Sequence, residues 1–105
     1  SISYQKLGKI FSELEKYEEA IKVVEKYLVL AKELFASNPK NYEIEWNLET
    51  AYRLLAGILE KVDKPKAKDY YEQSEKLCIS LLEKTKLETF ENNLKYIRER
   101  LAMLK

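Results

Sequence analysis

The sequence predicts an all-α fold of five helices stacked as an array of antiparallel pairs. Three observations lead there. Apolar residues recur three and four positions apart through almost the whole chain, the spacing of one helix face. Only two glycines and two prolines interrupt 105 residues, too few for a turn-rich strand architecture. The apolar pattern also repeats itself with a period of about 47 residues, as expected of stacked supersecondary units.

The first helix is predicted over about Ile2 to Leu14, with Tyr4, Leu7, Ile10, Phe11 and Leu14 on its inner face. The second runs from about Tyr17 to Ala36. It carries one stripe of Ala20, Val23, Val24, Tyr27, Leu30 and Leu34, and another of Ile21, Leu28 and Phe35, so it is expected to pack on two sides. Pro39 cannot continue that helix. Asn41 can cap the third, whose first turn holds Glu43 and Glu45 near the positive helix end. The third helix is expected to about Lys61, using Ile44, Leu48, Ala51, Leu55, Ile58, Leu59 and Val62. Pro65 suits the first turn of the fourth. Ala67, Tyr70, Tyr71, Ser74, Leu77, Cys78, Leu81 and Leu82 line that helix. Thr85 and Glu88 have capping-box spacing for a fifth helix, which carries Phe90, Leu94, Ile97, Leu101 and Leu104.

The repeat relates these helices. Tyr4, Leu7 and Ile10 correspond to Tyr52, Leu55 and Ile58, 48 residues on; Gly8 corresponds to Ala56, Phe11 to Leu59 and Leu14 to Val62. Ala20, Glu25, Leu30 and Leu34 correspond to Ala67, Glu72, Leu77 and Leu81, 47 residues on. Leu101, Ala102 and Leu104 continue the pattern at 46 from Leu55, Ala56 and Ile58. Three units follow: a first pair over 1–40, a second over 41–86, and a terminal capping or half-repeat helix over 87–105. Gly8, Ala56 and Ala102 read as small positions where the helices of a pair approach closely. Ser1 aligns with Glu49, well inside the third helix, so the first helix reads as cut short and the chain as a fragment of a longer array.

Tyr4, Leu7, Gly8, Phe11, Ala20 and Val24, with a proline after the second helix, resemble the tetratricopeptide repeat. The long helices, together with Ser1-Ile-Ser-Tyr4, Leu7-Gly8 and Asn38-Pro39-Lys-Asn41, resemble its extended bacterial variant. The resemblance implies a right-handed superhelical array, a TPR-like α-solenoid. It implies a protein-interaction function: a scaffold or partner-sensing module that takes a peptide or protein segment in a concave groove lined by the first helix of each pair. By that analogy the groove offers Ile2, Gln5, Lys6, Lys9, Ser12 and Glu13, then Thr50, Arg53, Leu54, Gly57, Glu60 and Lys61, and finally Tyr96, Glu99, Arg100 and Met103. The core set is Gln5, Lys6, Lys9, Thr50, Arg53, Leu54, Lys61, Tyr96 and Arg100. Convergence of Lys6, Lys9, Arg53, Lys61 and Arg100 would favour an acidic peptide through charge-assisted contacts to carboxylates. The alternative is that these are ordinary solvated charges. The asparagines of the chaperone-terminus clamps found in some tetratricopeptide domains are not expected in this groove.

Composition limits other functions. There is no histidine, which removes the commonest general base and metal ligand. The lone Cys78 can form neither an internal disulfide nor a thiolate metal site by itself. Glutamates fall outside the apolar stripes, so no carboxylate site is expected within the bundle. The chain reads as non-enzymatic and without a cofactor or metal. A net charge of +1 argues against nucleic acid or an anionic membrane surface as partner. No signal or membrane-spanning segment is read, and a cytoplasmic location is the expectation. Tyr4, Tyr27, Tyr52, Tyr70 and Tyr71 fall at or beside core spacing, while Tyr42 and Tyr96 are freer. Trp46 is expected to pack against the long preceding helix or to serve as an exposed anchor. Self-association is the second functional reading, with Ile2 and Ile10 at one array end and Tyr96 and Met103 at the other giving a homo-oligomer. A regulatory region of a larger signalling protein is the third.

Overall fold

The computed structural model describes residues 3–104. It holds five α-helices: α1 Tyr4–Glu13, α2 Tyr17–Ser37, α3 Tyr42–Leu59, α4 Lys64–Thr85 and α5 Glu88–Met103. No strand occurs among the described residues. Each helix packs on its neighbours in sequence, and α1 also reaches α3. The molecule measures 36 × 34 × 20 Å with a radius of gyration of 13.3 Å. That radius is what a compact domain of this length has, so two and a half repeats do not yet form an elongated rod. No helix of the described residues is long and apolar enough to cross a membrane.

Local chemistry sets most of the helix starts. The Ser3 hydroxyl accepts from the Lys6 N–H at 3.2 Å. Asn41 Oδ1 accepts from Glu43 N at 3.0 Å and Ile44 N at 3.2 Å, as its position predicts. Asp63 accepts from Lys66 N at 3.2 Å, with Pro65 in the first turn of α4. The last start differs from expectation. Thr85 is the final residue of α4; its hydroxyl donates to Leu81 O at 2.8 Å and accepts from Leu87 N at 3.2 Å. Leu87 is therefore the N-cap of α5 and no capping box forms with Glu88. Between the two helices Lys86 takes the left-handed conformation, φ 59°.

One core cluster joins the first pair to the second: Ala20, Val24, Leu28 and Ala31 of α2 meet Leu48, Ala51, Leu55, Ile58 and Leu59 of α3 and Ala67 of α4. The other joins Ala56 to Tyr71, Cys78 and Leu81 of α4 and to Phe90, Leu94 and Ile97 of α5. Each large apolar side chain buried in this way contributes roughly 1.5–3 kcal/mol. Gly8 is buried, and a β-carbon there would lie 2.5 Å from Val24 Cγ2, so α1 and α2 meet with no room for a side chain. Ala56, its repeat partner, is fully buried. Ala102 is exposed, because no sixth helix packs on α5 among the described residues.

Apart from Val62, the stripe assignments hold in the second pair; they need correction in the first. Tyr4, Ile10 and Leu14 are exposed, as are Leu30 and Leu34 on α2, since among the described residues no helix covers the outer side of α1. Val62 lies beyond the end of α3 and is exposed. Trp46 meets Phe90 edge-on at 5.2 Å, so its partner is α5 rather than α2. Tyr71 is fully buried, and Tyr27, Tyr52 and Tyr70 are partly buried. Cys78 is a core residue whose thiol donates to Phe90 O at 3.1 Å; burial pushes its pKa up to about 11, so it is an unreactive neutral thiol.

Candidate functional site: a groove across α1, α3 and α5

The first helices of the two pairs and α5 bring residues from three distant stretches to one concave face. α1 supplies Gln5, Lys9, Ser12 and Glu13; α3 supplies Thr50, Arg53, Leu54, Gly57 and Ile58; α5 supplies Tyr96. They enclose an open hollow of about 350 Å3. A second hollow of about 360 Å3 is lined by Gln5, Trp46, Asn47, Thr50, Arg53, Thr89 and Asn93. Gln5, Thr50 and Arg53 line both, so the two hollows form one continuous groove.

Six of the nine sequence-predicted groove residues meet here: Gln5, Lys9, Thr50, Arg53, Leu54 and Tyr96. Lys6, Lys61 and Arg100 are not among the lining residues, and Ile2 lies outside those described. The groove is therefore less basic than the sequence implied. Two of its expected cations are also engaged by carboxylates of the protein. Arg53 Nε donates to Glu49 Oε2 at 2.8 Å, with Nη2 3.5 Å from Oε1. Arg100 Nε donates to Glu60 Oε2 at 3.2 Å, and its Nη2 pairs with Oε1.

The carboxylates behind the groove are the largest departure from the sequence reading. Glu45 and Glu49 are buried, 2% and 0% exposed, although glutamates were expected outside the core. Glu49 is held by Arg53 and by the Ser74 hydroxyl, which donates at 2.7 Å from α4. Glu45 takes a 2.8 Å bond from Lys84, also on α4. Glu60 accepts the Tyr71 hydroxyl at 2.5 Å. Burial pushes Glu60's carboxyl up, but hydrogen bonds from Arg100 and Tyr71, with the charges of Arg100 and Lys61, outweigh it and hold the pKa below the ordinary carboxylate range. For Tyr71, burial first and then its bond to Glu60 push the phenol far up, so it is a permanent donor. Among the described residues no buried side-chain N or O lacks a partner. These carboxylates therefore brace α3 against α4 and α5, and Glu49 fixes the guanidinium that forms the groove floor.

Asn47, Thr89 and Asn93 were not anticipated, and two of them are asparagines in a groove expected to lack them; Trp46, read as a packing residue or an exposed anchor, also borders the groove. The signal was present. Asn47 lies one turn before Thr50, and Thr89, Asn93, Tyr96 and Arg100 keep the four-three-four spacing of one helix face. Comparison with family models, curated proteins and solved structures finds no significant match to this chain.

Proposed function

We propose that this chain is a protein-interaction module of tetratricopeptide type, a right-handed array whose concave groove binds an extended segment of another protein, without catalysis or cofactor. The observation that carries the proposal is the continuous groove through Gln5, Thr50 and Arg53, built by one helix from each successive repeat. Its lining is rich in amide and hydroxyl groups, the chemistry that satisfies a peptide main chain. Lys9 makes no ion pair among the described residues, and Arg53 keeps Nη1 for a ligand after donating Nε and Nη2 to Glu49. A single ligand carboxylate beside Lys9 and Arg53 suits this arrangement better than a run of acidic residues, because Glu13 shares the lining.

The test uses peptides selected on the intact chain from a random extended library. Lys9→Glu is expected to weaken the best acidic binder about tenfold or more, as loss of one charge-assisted contact does. Thr50→Trp, which fills the shared floor, is expected to abolish binding. Arg53→Glu is a poor probe, since it would set a second carboxylate against buried Glu49. Unchanged affinity in both the Lys9 and Thr50 variants would reject the groove as the binding surface.

A further inference from the structure

The internal repeat supplies a template for the outer side of the first pair. In the second pair, Leu55 and Ile58 are 0% and 3% exposed within the core cluster that holds Ala20, Val24, Leu28 and Ala31 of α2. Tyr70 and Leu77 pack against the same cluster. Tyr52 sits beneath Lys32 of α2, whose Nζ is 5.6 Å from the ring centroid. The repeat equivalents in the first pair are Leu7, Ile10, Val23, Leu30 and Tyr4. Three of these, Tyr4, Ile10 and Leu30, are 42%, 42% and 45% exposed. Next to them, Tyr4, Val29 and Leu30 border a mostly apolar hollow of about 560 Å3 flanked by Lys22, Glu25 and Lys26. The positions at which α2 covers the second pair are thus open on the first.

We propose that this face docks an amphipathic α-helix of a partner polypeptide whose apolar stripe follows that of α2. The template sets its chemistry. Small and branched residues at i, i+4, i+8 and i+11, as in Ala20, Val24, Leu28 and Ala31, meet Leu7 and Ile10. A lysine at i+12, as Lys32 stands to Ala20, covers the open Tyr4 ring as Lys32 covers Tyr52. The flank differs from the template. Lys22 and Lys26 stand where the second pair has Asp69 and Gln73, so the partner helix carries carboxylates on that edge. The surface adjoins the concave groove through a hollow of about 390 Å3 that Tyr4 and Leu30 line together with Gln5 and Asn47, but it lies clear of Lys9.

The experiment titrates a synthetic helix peptide of residues 16–38 of this chain, with Glu at the flank position that faces Lys22 and Lys26, into the isotopically labelled full chain. Amide and methyl shifts are expected at Leu7, Ile10, Val29 and Leu30. Ile10→Asp, at an exposed position, is expected to weaken the peptide at least tenfold, and Lys22→Glu with Lys26→Glu about tenfold. Lys9→Glu in the groove is expected to leave it unchanged. Shifts centred on Leu55 and Ile58, showing that the peptide has displaced α2, would overturn the proposal. So would absence of binding, indifference to Ile10→Asp, or a dimer of the chain itself that buries Ile10 and excludes the peptide.

Discussion

Replacing Arg53 by methionine removes the guanidinium from a carboxylate that has no access to water. Glu49 is 0% exposed and would retain only the Ser74 hydroxyl at 2.7 Å. Breaking a buried ion pair from one side typically costs about 3–5 kcal/mol. One feature places this case near the lower end. The Arg53 side chain is 27% exposed, so part of its attraction is already shared with water. Arg53→Met is therefore expected to lose about 3 kcal/mol at pH 7. Urea denaturation followed by helical circular dichroism reads that number. At pH 7 the melting temperature should drop by roughly 12 °C or more. Replacing the whole set together, Glu49→Leu, Arg53→Met and Ser74→Ala, should return stability to within about 1 kcal/mol of the parent or above it. A loss below about 0.5 kcal/mol at pH 7, the range of ordinary surface substitutions, would show that Glu49 does not depend on Arg53.

The two glycines are expected to respond in opposite ways. Gly8→Ala forces a β-carbon to within 2.5 Å of buried Val24 and should destabilise by about 1–2 kcal/mol despite the better helix propensity of alanine. Gly57→Ala meets only the Tyr71 oxygen at 3.6 Å and should stabilise by about 0.5–1 kcal/mol in thermal melts. Glu60's depressed pKa gives stability that is present above the unfolded carboxylate value of about 4.3 and lost as pH falls through the folded one; Arg100→Met should flatten that acid limb in denaturation curves and cost about 1–2 kcal/mol at pH 7. Lys86→Gly relieves a left-handed residue, φ 59°, and should stabilise by about 0.5–1 kcal/mol.

Much of the helix framework was legible because it is governed locally. Asn41 caps α3 from its own side chain, Pro65 starts α4, and apolar spacing placed the ends of α1, α2 and α3 to within about two residues. The failures share a cause: they depend on what lies opposite in space. A glutamate on a helix reads as solvent-facing unless its partner is known, and Glu45 and Glu49 find Lys84 and Ser74 39 and 25 residues away. Ser74 at a core position was the visible clue, since a buried hydroxyl needs an acceptor. Tyr4, Ile10 and Leu14 have the same spacing as residues that are buried elsewhere, but periodicity does not report whether a neighbouring helix is present. Thr85 and Glu88 match a capping box by spacing alone; the last turn of α4 uses the threonine first. On the groove, the α1 and α3 positions followed from helix faces, whereas the charge balance did not, because Arg53 and Arg100 are held by carboxylates that sequence placed at the surface.

The proposed binding of partner segments along the face shared by α1, α3 and α5 is open to a direct test. The most direct measurement is a nuclear magnetic resonance footprint of a library-selected peptide on the labelled chain. Shifts are expected to concentrate at Gln5, Lys9, Thr50, Arg53, Asn93 and Tyr96. A saturable footprint confined to the opposite side, on exposed positions of α2 and α4 such as Glu33 and Lys76, would contradict it.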